Sequence, residues 1–182
     1  RVSAQTNLSY KLAWTKHCNL KTLALWTTFH PSQVSLDAFV AKCHTLDDYK
    51  VRYSVGVVGL KEHFDWLPTL RTQLLPETYL WINAYKRDKD YYTPEDKEFL
   101  KAIDPLFGLN TKYHTSFGHA CHAGSRAFTV DGQGDVRRCH FIKEPIGNIY
   151  EPYFEQCLQP RDCTNQTCGC HIGYIHLKRL GL

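Results

Sequence analysis

The chain has 182 residues, 43% of them apolar and 22% charged, and 22 Lys and Arg against 18 Asp and Glu leave a net charge of +4. That is the composition of an ordinary globular protein, long enough for one large domain or two small ones. No dense Lys/Arg run or basic-aromatic stripe supports nucleic-acid binding, and no apolar run approaches the roughly 18 residues of a membrane span.

Four β-rich runs recur at steady spacing: Val2–Thr6, Leu23–Phe29, Val51–Val58 and Thr78–Tyr85. Each is nearly continuous in apolar or β-branched residues, the pattern of parallel strands buried on both faces. Helical patterns fill the gaps. Ser35 caps a helix whose Leu36, Phe39, Val40 and Cys43 share one face. A second helix spans about Lys61–Leu75, with Pro68 kinking or restarting it. The third has Thr93 as its N-cap, Pro94 at its first position and acidic residues in its first turn, and Asp104-Pro105 ends it. Strand and helix in alternation predict βαβ units on a parallel sheet. Trp14, Trp26, Trp66 and Trp81 sit in apolar runs and read as core.

After Pro105 the texture changes, and a domain boundary is expected within 106–115, dividing the chain into 1–110 and 111–182. Helical periodicity fades and Gly, His and Cys become frequent. Ala127–Val130 and Asp135–Cys139 alternate around D131-G-Q-G134, a strong hairpin signal. I146-G-N-I149 follows, then a short helix near Tyr150–Leu158 and a compact cysteine knuckle, C163-T-N-Q-T-C168-G-C170. Arg137-Arg138 read as a solvated hairpin edge, or as charges able to tune a neighbouring metal group.

Six of the eight cysteines lie in this last third. No secretory leader is visible, so metal ligation or free thiols are expected over disulfides, in a cytoplasmic setting. Cys121 and Cys139 from the hairpin, with Cys163, Cys168 and Cys170 from the knuckle, form a soft-donor set. On spacing alone it serves a structural zinc site as well as an iron–sulfur cluster, and His114, His119, His122, His140 and His171 are near in sequence. C168-G-C170-H171 has one residue between its cysteines, which excludes c-type haem attachment. Cys18, Cys43 and Cys157 read as packed or surface thiols.

Read as a pattern, the second region is C-x12-G-x4-C followed by C-x4-C-x-C. With the Asp131-Gly132 turn and Gly147-Asn148-Ile149, it resembles the auxiliary-cluster domain of radical S-adenosylmethionine enzymes, SPASM in its long form and twitch in its short one. The thiols are too few for the long form's two clusters, so the resemblance implies one auxiliary 4Fe–4S cluster held by Cys121, Cys139 and two or three of the knuckle cysteines. Gly124, Gly134 and Gly169 would let the backbone approach it. The first region resembles strands three to six of that family's (β/α)6 partial TIM barrel, whose ligands sit at the C-terminal strand ends. Thr6-Asn7 is similar to the T-N after strand three. T27-T-F-H-P31 ends strand four, where Thr28 and His30 would face ribose or substrate. G59-L-K-E62 resembles the tail of an adenine-contacting motif, implicating Gly59 and Glu62.

The family's C-x3-C-x2-C is absent from these residues, as is the strand-two glycine-rich motif. The chain begins at Arg1, contains no methionine and opens on a strand, so a piece of a longer protein is expected. In the complete protein the resemblance implies an enzyme with S-adenosylmethionine, a second 4Fe–4S cluster, an electron donor and a peptide or protein substrate for 5′-deoxyadenosyl-radical chemistry. The other reading is a zinc-binding structural or interaction module without redox chemistry.

Overall fold

The first four β-rich runs form one parallel sheet in the computed structural model, which describes residues 1–182. The strands are β1 (Val2–Thr6), β2 (Leu23–Thr28), β3 (Arg52–Val58) and β4 (Leu80–Asn83), in spatial order 1-2-3-4. Registers such as Ala4↔Leu25, Trp26↔Ser54 and Gly56↔Trp81 set every C-terminal strand end along the same edge. Parallel neighbours need crossover connections, and the sequence supplies helices for them. Between β2 and β3 runs α1 (Leu36–Asp48), capped by the Ser35 side chain accepting from the Ala38 amide. Between β3 and β4 the expected second helix is divided. A 3-10 turn at Lys61–His63 precedes α2 (Leu67–Gln73), which starts around Pro68 because proline at the first turn forfeits no helical hydrogen bond.

After β4 come α3 (Pro94–Ile103) and the single turn α4 (Phe107–Asn110). Leu25, Val55 and Ile82 of the sheet join Phe39, Leu46, Leu67, Leu70, Leu100 and Phe107 of the helices in one core. Each such side chain withdrawn from water contributes about 2 kcal/mol. Trp26 and Trp81 pack edge to face, 5.7 Å between centroids, with Trp81 buried and Trp26 partly so. Trp14 departs from its expected place: it is 41% exposed on a 3-10 segment whose buried side is taken by Leu12 and Thr15.

The chain divides into two compact units, Arg1–Thr111 and Lys112–Leu182. The second is built from short strands: β5 (His114–Thr115), β6 (Ala120–Cys121), β7 (Thr129–Val130), β8 (Asp135–Arg137), β9 (Pro145–Asn148), β10 (Arg161–Asp162) and β11 (Thr167–Cys168). A four-residue helix, α5 (His171–Tyr174), closes it. β7-β8-β9 make an antiparallel sheet around the Asp131–Gly134 turn, while β10 pairs with β6 and β11 with β5. The helix expected near residue 154 is a 3-10 turn, Phe154–Cys157, entered through Tyr153 at φ 62°. No helix of the structure is long and apolar enough to cross a membrane.

Candidate functional site

Two places collect the residues singled out by the sequence. The first is the C-terminal edge of the parallel sheet. Immediately after β1 the chain turns sharply: the Thr6 hydroxyl accepts from the Leu8 amide at 3.0 Å and the Asn7 side chain accepts from the Ser9 amide at 3.1 Å. These local bonds hold Leu8 at φ 57°, a conformation costing a non-glycine residue about 1–2 kcal/mol. The Lys42 ammonium of α1 donates to the Leu8 carbonyl and fixes the turn from outside.

Beside this turn lies a cavity of about 200 Å³ lined by Asn7, Ser9, His30, Gln33, Val34, Phe39 and Lys42. Asn7 and His30 therefore reach one cavity from the ends of two adjacent strands. Ser9, Gln33 and Lys42 were not singled out by sequence, and no motif marks them. Thr6 and Thr28 terminate β1 and β2 on the same edge. Gly59 and Glu62 follow β3. Gly59 is packed tightly: its amide donates to the Asn83 carbonyl, its carbonyl accepts from the Tyr92 hydroxyl at 2.6 Å, and a Cβ there would meet Ile82 at 2.8 Å. Its glycine identity is accounted for by that packing. Glu62 is exposed on the 3-10 turn.

The second place is the cysteine-bearing unit. Cys121 ends β6, whose pairing with β10 sets Cys121 opposite Arg161, and the Cys163 amide then donates to the His119 carbonyl at 2.9 Å. Cys168 ends β11 opposite His114, and Cys170 precedes α5, accepting from the Gly173 and Tyr174 amides. Cys139 lies two residues beyond β8. Burial raises the Cys121 thiol, with further upward pushes from the charges of Cys163 and Cys139. Burial likewise pushes Cys168 up to about 12, assisted by Cys163, Cys139, Cys121 and Cys170. Cys139 is raised by burial and again by Cys163. Cys163 thus acts on Cys121, Cys139 and Cys168, Cys170 acts on Cys168, and all eight cysteines are unpaired.

Backbone amides already point at two of these sulfurs. The Ala123 N–H donates to Cys121 Sγ at 3.4 Å, and the Phe141 and Ile142 amides act on the Cys139 sulfur. Such donors favour a thiolate and hence a soft metal ligand. No three His, Cys, Asp or Glu side chains converge as a set that could hold a single metal ion.

Two expectations for this unit are corrected. Gly124, Gly134 and Gly169 make room for protein side chains: a Cβ would meet Arg138 at 2.9 Å, Tyr150 at 2.5 Å and Tyr113 at 2.5 Å respectively. Arg138 is no solvated edge, at 6% exposure. Arg137, its neighbour, fits the edge reading, half-buried and paired with Asp131 and Asp135. Period-two alternation carried the signal, because Arg138 shares its face with the fully buried Val136.

Comparison with known proteins gives one informative likeness. The chain superposes on the solved structure of native anSMEcpe with bound AdoMet at a TM-score of 0.52 and 13% identity. The match covers 97% of this chain and 58% of that one, and at this identity it is a likeness of fold. No protein-family model and no curated protein matches the sequence.

Proposed function

We propose that these 182 residues form the C-terminal part of a radical S-adenosylmethionine enzyme. In this reading the sheet and helices of 1–110 are strands three to six of a partial (β/α)6 barrel, and 111–182 are a twitch-like domain binding one auxiliary 4Fe–4S cluster. The observation that carries it is that Cys121, Cys139 and Cys168, from separate chain segments, each lie close enough to Cys163 for its charge to raise their thiols, with Cys170 acting on Cys168 as well.

The cysteine pattern, C-x12-G-x4-C followed by C-x4-C-x-C, is what favours the cluster over zinc in this reading. Four of the five cysteines would hold it, or three with one iron open. The group would supply one-electron transfer or an open iron for substrate.

Further support comes from the sheet. Its C-terminal edge gathers Thr6, Asn7, Thr28 and His30, and the solved fold likeness was determined with AdoMet bound. Ligands of parallel barrels sit on that edge. In the cavity Asn7 offers amide hydrogen bonds and Lys42 a cation. Reductive cleavage of AdoMet would fall to a segment bearing the C-x3-C-x2-C, within a longer chain that also binds a second 4Fe–4S cluster, an electron donor and a peptide or protein substrate.

The test is metal competition. The chain, reconstituted anaerobically with iron, sulfide and zinc all present, should take up about four irons with matching sulfide. Cys121→Ala/Cys139→Ala should abolish that uptake. One zinc per chain without sulfide would replace the proposal with a structural zinc module.

A further inference from the structure

Arg138 carries a charge that the surrounding protein leaves unanswered. The side chain is buried and forms no ion pair with a carboxylate, while Asp131 and Asp135 of the same hairpin are engaged by Arg137. Its Nη2 donates to the Arg161 carbonyl at 2.9 Å, while its Nε is buried without a hydrogen-bond partner. An uncompensated buried cation is strongly unfavourable, so such a group points to an anionic partner.

The contacts say where that partner belongs. The stem of Arg138 lies over Gly124, where a Cβ would come within 2.9 Å of Cγ and 3.2 Å of Nε, so a larger residue there would displace the guanidinium. Gly124 sits three residues after Cys121 at φ 91°, a conformation glycine tolerates. Arg161, which accepts the Nη2 proton, is the residue paired with Cys121. Cys139 is the next residue in the chain. Arg138 is thereby held between two thiols, and its charge acts on both.

We propose that Arg138 is the built-in counter-charge of the thiolate-bound group, a positioning residue whose guanidinium balances ligand charge and whose Nε–H is kept for a sulfur. This rests on the cluster reading given above. Net charge and hydrogen bonds to sulfur set a cluster's potential, so a fixed cation makes the more negative, reduced state easier to reach.

The experiment uses the full chain, reconstituted anaerobically, as wild type, Arg138→Gln, Arg138→Lys and Arg137→Gln. Iron and sulfide content tests the cluster reading, and the midpoint potential from a mediated redox titration tests Arg138. The expected result is a cluster in all four proteins, with the potential shifted negative in R138Q, near wild type in R138K and unchanged in R137Q. If R138Q loses its cluster, retention in R138K supports the charge role, and loss in both reduces Arg138 to a packing residue and overturns it. A loaded R138Q at the wild-type potential also overturns it while leaving the cluster reading intact. Wild type without iron defeats both.

Discussion

Individual side chains in this protein are constrained by very local physics, and two of them make the point measurable. A Cβ at Gly56 would lie 2.0 Å from Trp81 Cζ2, inside any tolerable contact, because the Trp81 ring lies over the neighbouring strand, edge to face with Trp26. Gly56→Ala should therefore destabilise the first unit by about 1–3 kcal/mol, read as a lowered urea midpoint. An unchanged midpoint would show that the indole moves aside freely. Cys43 is a different case. It is fully buried, and burial first, then the Asp47 charge, raises its thiol from 9.0 to about 12. The folded chain keeps that proton while the unfolded chain releases it from about pH 9, so this contribution is complete below pH 9 and disappears as pH rises toward 12. Urea midpoints of wild type should fall more steeply between pH 8 and 10.5 than those of Cys43→Ala, and parallel slopes would contradict the assignment. Neither feature was legible in sequence. A glycine in a strand signals only close approach, and the partner that makes Gly56 obligatory lies 25 residues on.

At the scale of elements, the sequence spoke most clearly where local chemistry decides the structure. Thr93 predicted a helix start, and the structure has a full capping box there: the Asp96 amide donates to the Thr93 hydroxyl at 3.2 Å, and the Thr93 amide to the Asp96 carboxylate at 2.9 Å. Thr93→Ala should cost about 1 kcal/mol, measured by thermal or urea unfolding, with Thr93→Ser close to wild type. Equal loss in both variants would place the effect elsewhere. The end of the same helix was legible as a stop at Asp104-Pro105, but its second role was not. Asp104 is buried and accepts from the Ile82 amide at 2.9 Å and the Tyr79 hydroxyl at 2.7 Å, tying α3 to β4 across 22 and 25 residues. Non-local bonds of that kind leave no period in the sequence. In the second unit the Asp131-Gly132 turn announced its hairpin, whereas β5, β6, β10 and β11 are two residues each, too short for alternation to register.

The whole molecule joins a unit whose order comes from apolar burial to one whose order comes from short pairings around sulfur. In the first unit a parallel sheet and its helices share a core, and the sheet's C-terminal edge supplies the polar cavity with Asn7 and His30. In the second, Ile142, Val136, Tyr174 and Leu177 are buried, but its strands are short and five thiols lie in one region. A metal group that binds only the folded state would stabilise such a unit directly. The cysteine spacing singled out these five residues but on its own served zinc and iron equally, and it was the hairpin pattern and the barrel-like first region that favoured iron–sulfur. The chain spans 58% of the length of the AdoMet-bound structure it resembles, and that likeness is one of fold. The decisive measurement is native mass spectrometry of the anaerobically reconstituted 182-residue chain. One added increment of about four irons and four sulfides is the predicted result. A spectrum holding only the apo mass, or that mass plus one zinc, would contradict the account.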